Sequence, residues 1–178
     1  SCDCFFYDLA NKVGIESIHN MAREMGLGKT TKIELPFEKE GIVPNKKWKK
    51  QKLNESWYAG ETLITGIGQG FILATPLQLA LMTSLIANGG KIIKPTLIKT
   101  KVMNEINNSK IRKMNVSEDN LNIIKNAMNK VVNEPGGTAY RSRSNSQDYI
   151  YAGKTGTSQV KRITLEERES EEFRKKEI

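Results

Sequence analysis

Hydrophobic positions in this chain recur mostly at helical spacing, broken by glycine. Phe5 to Val13 and Ile15 to Met25 read as two short helices, the first stopped at Gly14 and the second at Gly26. Glu34 to Pro44 is turn-rich, and Lys46 to Leu53 reads as a short basic helix. Trp57 to Phe71 carries Gly60, Gly66, Gly68 and Gly70, which predicts a helix running into an irregular, closely approached loop. Thr75-Pro76 is a strong start signal, with a hydroxyl to cap the first turn and a proline whose missing N–H costs nothing there. The helix after it, Leu77 to Ala87, is apolar nearly all round and ends at Asn88-Gly89-Gly90, so it is expected to be central and buried. Lys91 to Ile93 and Thr96 to Val102 read as extended. Ser117 caps a further helix, Glu118 to Val132, with Leu121, Ile124, Met128 and Val131 on one face. Gly136-Gly137-Thr138-Ala139 is a loop into a short turn, and Gln147 to Ser158 reads as a buried strand. Thr164 and Glu167 form a capping box for a last segment. From Glu166 to Glu177 that segment is almost entirely charged, so residues 161–178 are expected to be mobile.

Composition adds limits. The 178 residues are 38% hydrophobic and 27% charged, enough for one globular domain with a core. No apolar run approaches the ~18 residues that cross a membrane as a helix. The net charge of +8 is densest at Lys46-Lys47-Trp48-Lys49-Lys50-Gln51-Lys52. A nucleic-acid binder would interleave such charge with stacking aromatics. Only Trp48 fits, so the run is read as a solvated lysine-rich face and no nucleic-acid partner is expected. Cys2 and Cys4 lack the further ligands of a zinc site, and His19 is the single histidine, so no metal and no cofactor is expected. The two cysteines are read as small packing residues, and His19 as a packed or surface residue.

Candidate chemistry centres on Gly153-Lys154-Thr155-Gly156-Thr157, behind Tyr149-Ile150-Tyr151. Lys154 offers a compact positive charge with three donors, Thr155 and Thr157 offer hydroxyls, and Gly156 lets a ligand backbone come close. Such a set suits a carboxylate. Two phosphate-loop lookalikes fail. Gly28-Lys29-Thr30 lacks the earlier glycine, its place being taken by Arg23, and Gly66-Ile67-Gly68-Gln69-Gly70-Phe71 ends in phenylalanine where the fingerprint needs glycine.

Ser1-Cys2-Asp3 gains meaning beside Lys154-Thr155-Gly156. Serine β-lactamases and penicillin-binding proteins carry Ser-x-x-Lys, Ser-Asp-Asn and Lys-Thr-Gly in that order. Between the last two motifs this chain has Trp57-Tyr58-Ala59-Gly60-Glu61-Thr62, Ile67-Gly68-Gln69-Gly70 and Thr75-Pro76-Leu77-Gln78-Leu79-Ala80. The series resembles the class B penicillin-binding proteins, most closely the elongation-specific type, from Ser1 to about Val160. That resemblance implies an α+β fold, with helices packed on both faces of an antiparallel sheet. It implies D,D-transpeptidation of peptidoglycan: a serine attacks the D-Ala-D-Ala amide of a stem peptide, and an amine of a neighbouring stem resolves the acyl-enzyme. β-Lactam antibiotics mimic the D-Ala-D-Ala end. Catalytic roles are implied for Ser1, which relays a proton to the leaving amine, for Asp3, which bonds the substrate amide or the nucleophile's lysine, and for Lys154, which polarises Ser1. Thr155, Gly156 and Thr157 are implied to bind the terminal carboxylate, with the Thr157 N–H as half of the oxyanion hole. Further implications are a membrane glycosyltransferase of the elongation machinery as partner, and a bacterial inner-membrane location with the domain facing the periplasm.

Two departures stand out. Asp3 occupies a position where most relatives have Asn, and an ionised Asp only accepts hydrogen bonds. Ser-x-x-Lys occurs only at Ser158-Gln159-Val160-Lys161, just after Lys-Thr-Gly, where the family does not place its nucleophile. The expectation is therefore a partial transpeptidase domain over residues 1–178 that lacks its nucleophile and is inactive alone, with anchor, pedestal and nucleophile helix upstream. The competing expectation is a non-catalytic peptidoglycan- or β-lactam-sensing module of the same fold.

Overall fold

Among the described residues the apolar spacing and the caps translate into six helices. The computed structural model describes residues 2–98 and 112–158. Its helices are α1 (Asp3–Val13), α2 (Ile15–Glu24), α3 (Lys46–Leu53), α4 (Ala59–Gly66), α5 (Pro76–Ala87) and α6 (Glu118–Asn133), followed by 3-10 turns at Tyr140–Ser142 and Gln147–Tyr149. α1 packs against α2 and α4, and α5 packs against α6. The approach of α1 to α4 depends on Gly66, because a Cβ there would overlap the Ala10 methyl. His19 is packed as expected, half-buried with Nδ1 3.0 Å from the Val43 carbonyl oxygen.

The capping at α5 also holds the surrounding loops. Thr75 Oγ1 accepts from the Gln78 N–H at 3.2 Å, and Gln78 Oε1 accepts from the Thr75 N–H at 3.0 Å. Gln78 is only 1% exposed. Its Nε2 donates to the Lys29 and Glu40 carbonyls, both at 2.8 Å. One side chain thus closes a helix start and straps two distant loops to it. The phosphate-loop lookalike around Lys29 is part of this strap.

Several expectations change. The lysine run is not uniformly solvated: Lys49 is 1% exposed. Its ammonium bonds Glu61, lies 3.3 Å from Glu55 Oε2 and sits 4.6 Å from the centre of the Tyr58 ring. Burial opposes the charge, but the hydrogen bonds to Glu61 and Glu55 outweigh it and hold the Lys49 pKa above the ordinary lysine value. Cys2 and Cys4 are exposed thiols rather than packing residues. α5 is not central. Gln78, Leu85 and Ile86 are buried, whereas Leu79 is 45% exposed and Ala80, Thr83 and Ala87 face outward. Only α6 packs substantially against it among the described helices, so its far side stays bare. In α6 the buried positions are Leu121 and Val132, with Lys125 and Met128 half-buried between them, and Ile124 is 38% exposed. The stripe is thus turned slightly from the predicted one, following the small core of Leu85, Met114 and Leu121.

The expected antiparallel sheet is the largest difference. Among the described residues only two isolated antiparallel bridges occur, Ile42 with Leu73 and Lys91 with Lys113. Gln147 to Ser158 is a 3-10 turn followed by an extended but unpaired run, and it is exposed rather than buried, with Tyr149 76% and Ile150 63% accessible. An extended segment becomes a strand only when a neighbour takes up its backbone N–H and C=O groups. Among the described residues no second extended segment does so; the Gly153 N–H and the Tyr151 carbonyl are taken up by α6 instead. The segment 161–178, expected to be mobile, and residues 99–102, expected to be extended, lie outside the described residues.

Candidate active site

The end of α6 positions the Lys-Thr-Gly run. Ser117 starts this helix, its Oγ accepting from the Asn120 N–H at 3.2 Å. At the other end the chain turns tightly through Gly136 and Gly137. A Cβ on Gly137 would collide with the Val131 carbonyl oxygen, which itself accepts from the Ala139 N–H at 3.1 Å. Only glycine allows the turn to lie this close to the helix. The returning chain is pinned twice to α6: the Gly153 N–H donates to the Met128 carbonyl at 3.1 Å, and Asn133 Nδ2 donates to the Tyr151 carbonyl at 2.9 Å.

The turn and the returning run also touch each other. Thr138 Oγ1 lies 3.2 Å from Thr155 Oγ1, and the Tyr151 hydroxyl donates to the Ser142 carbonyl. The two contacts occur in opposite order along the turn and the returning run, so the segments pass each other in opposite directions. Side chains rather than a backbone ladder hold them.

Lys154, Thr155, Gly156 and Thr157 are all exposed. Lys154 Nζ donates to the Thr155 carbonyl at 2.8 Å and to Thr155 Oγ1 at 3.1 Å. No carboxylate pairs with it among the described residues. The backbone N–H groups of Gly156 and Thr157 likewise find no acceptor among them. The result is a strip with an unneutralised ammonium, hydroxyls and free N–H donors on one surface. It is complementary to an acceptor-only anion such as a carboxylate, or to an oxygen on which negative charge develops.

Among the described residues no hydrogen bond or ion pair joins the other candidates to Lys154. Asp3 is exposed on the first turn of α1. Ser1 lies outside the described residues. Ser158 is exposed at the end of the strip, and Lys161, its partner in the only Ser-x-x-Lys match, lies outside. Sequence reasoning took Gly136-Gly137-Thr138-Ala139 as a mere loop and so missed Thr138, Asn133 and the Met128 carbonyl. The usable signal was a hydroxyl next to paired glycines directly after an amphipathic helix, where the chain must turn back on that helix.

Comparison with known proteins identifies the family. The family model described as the penicillin binding protein transpeptidase domain matches residues 1–172. The chain is 37% identical over 177 residues to the peptidoglycan D,D-transpeptidase MrdA of Acinetobacter baumannii, covering 96% of this chain and 26% of that protein. It therefore spans only about a quarter of that curated relative's length. Two solved structures superpose with a TM-score of 0.79 over 89% of this chain: Helicobacter pylori PBP2 in its complex with MreC, at 38% identity, and Pseudomonas aeruginosa PBP2 in complex with WCK 5153, at 37% identity. The aligned part is 29% of the first chain and 36% of the second. The motif order, the donor strip on α6 and these matches make the chain a member of the penicillin-binding protein transpeptidase family.

Proposed function

We infer that this chain supplies one wall of a D,D-transpeptidase active site, the wall that binds the terminal carboxylate of a D-Ala-D-Ala stem peptide and of β-lactams. The observation that carries this reading is the open strip from Lys154 to Thr157, with its ammonium free of carboxylates and its N–H groups unpaired among the described residues. Thr155 and Thr157 hold the carboxylate by their hydroxyls, and the absent Gly156 side chain lets the peptide lie flat. The Thr157 N–H stabilises the oxyanion of the tetrahedral intermediate. Lys154 keeps the pocket positive and polarises Ser1, which passes a proton to the departing amine, while Asp3 orients the substrate amide.

The acylated serine belongs to a Ser-x-x-Lys segment of a longer polypeptide, and the 178-residue chain is inactive without it. In that context the run after Tyr151 pairs into an antiparallel sheet flanked by helices, a reading supported by its extended backbone, whose N–H groups at Gly156 and Thr157 find no acceptor among the described residues. The protein acts in cell-wall elongation from the periplasmic side of the inner membrane. Its partners there are a scaffold of the MreC kind and a membrane glycosyltransferase.

Labelling with a fluorescent penicillin tests the reading. The full-length gene product is expected to be acylated, and Lys154→Ala to lower the acylation rate at least about tenfold, as loss of a charged hydrogen-bonding partner implies. The 178-residue chain alone is expected to show no adduct by mass spectrometry. An adduct on Ser1 or Ser158, or undiminished labelling of Lys154→Ala, overturns it.

A further inference from the structure

We propose that Thr138 is a positioning residue that fixes the direction of the Thr155 hydroxyl and so makes the site select a carboxylate over a neutral group. The inference rests on the carboxylate reading of the Lys154–Thr157 strip. A hydroxyl has one proton to give and two lone pairs to fill. Thr155 Oγ1 already accepts from the Lys154 ammonium at 3.1 Å, and a second hydroxyl, Thr138 Oγ1, stands 3.2 Å away. A carboxylate can only accept, so once one is bound Thr155 must donate its proton to it. If the contact with Thr138 persists, Thr138 must then be the donor to Thr155. Both lone pairs of Thr155 are filled and its single proton points at the ligand. A carboxylate gains more from that fixed proton than a neutral acceptor such as an ester does, because a hydrogen bond to an ionised acceptor is roughly twice as strong.

Thr138 is placed by the same features that hold the Lys154–Thr157 strip. Gly137 lets the turn lie against the Val131 carbonyl, and Gly153 and Tyr151 are pinned to Met128 and Asn133 from the opposite side. Both hydroxyls are therefore held from the end of one helix. Their distance is fixed by α6, not by the free ends of two loops.

Benzylpenicillin, which carries the carboxylate, and its methyl ester, which does not, separate this role from plain structural support. For the full-length gene product, Thr138→Val should reduce the acylation-rate ratio of acid to ester by about five- to tenfold, the loss of one hydrogen bond in a charge-assisted chain. Thr138→Ser should restore it. Thr138 is exposed, so the isosteric valine is expected to leave the melting temperature unchanged. If both rates fall equally, or if serine fails to rescue, the inference is overturned even where Lys154→Ala behaves as stated above. Should the wild type resist acylation altogether, the functional reading falls. The three-bond couplings to the Thr155 methyl then decide the inference by themselves. They should report one χ1 rotamer in the wild-type chain and in Thr138→Ser, and averaging in Thr138→Val. A single rotamer in all three overturns it.

Discussion

Replacing Gln78 by leucine removes the polar strap of α5 while nearly keeping its volume. Three side-chain hydrogen bonds disappear: Nε2 to the Lys29 carbonyl, Nε2 to the Glu40 carbonyl, and Oε1 from the Thr75 N–H. Lys29 and Glu40 are themselves exposed residues, so water can reach part of what the glutamine leaves. Each loss is then taken near the net value of about 1 kcal/mol rather than as full desolvation. The sum is a destabilisation of about 3 kcal/mol. For a chain of this size that corresponds to a melting temperature lower by roughly 6–12 °C. Thr75→Ala is the control, because it removes only the hydroxyl cap on the Gln78 N–H and should cost about 1 kcal/mol. Urea unfolding measures both. Hydrogen exchange adds location: the Ile42 and Leu73 amides, which bond each other's carbonyls at 2.8 and 2.9 Å beside the strap, should lose protection in Gln78→Leu and keep it in Thr75→Ala. A Gln78→Leu variant within about 0.5 kcal/mol of wild type, a typical surface substitution, would refute the strap.

Three further outcomes follow from other contacts. Gly66→Ala should destabilise by about 1–3 kcal/mol through overlap with Ala10, and Ala10→Gly in the same chain should recover much of that loss in thermal unfolding. Glu38 accepts from the Thr31 N–H at 2.7 Å and the Lys32 N–H at 3.0 Å, and hydrogen bonding from Thr31, opposed by some burial, lowers its pKa. A lowered folded-state pKa gives stability that is present above the ordinary glutamate value of about 4.3 and lost as pH falls through the folded value, so the gap in urea midpoint between wild type and Glu38→Gln should be full at pH 7 and shrink as the pH is taken down through the acidic range below that value. Leu121→Ala, at 1% exposure in the cluster with Leu85 and Met114, should cost about 2–4 kcal/mol by urea unfolding, and a near-neutral result would mean that this small core is loosely packed.

Local signals were the legible part of this chain. Thr75-Pro76, Ser117, Gly14 and the apolar spacings placed five of the six described helices to within about two residues, and the start but not the end of α4, because caps and stops act within a single turn. The motifs Ser1-Cys2-Asp3, Gly68-Gln69-Gly70, Thr75 to Ala80 and Lys154-Thr155-Gly156 carried the family, because motif chemistry is a property of residue type and order. What these letters do in space was not legible. Burial of Lys49 depends on Glu55, Glu61 and the Tyr58 ring meeting around one ammonium, and the exposed side of α5 depends on which helices reach it. Neither follows from a residue's immediate neighbours in the chain. The strand expected from Gln147 to Ser158 shows the limit most plainly, since β structure belongs to a pair of segments and one segment can only be ready for it. By residue type and order alone, Lys154, Thr155, Gly156 and Thr157 read as a strip suited to a carboxylate. Only the tertiary structure pinned that strip against α6 and brought Thr138 to the side of Thr155, because a turn wound against a helix joins residues that the sequence keeps well apart.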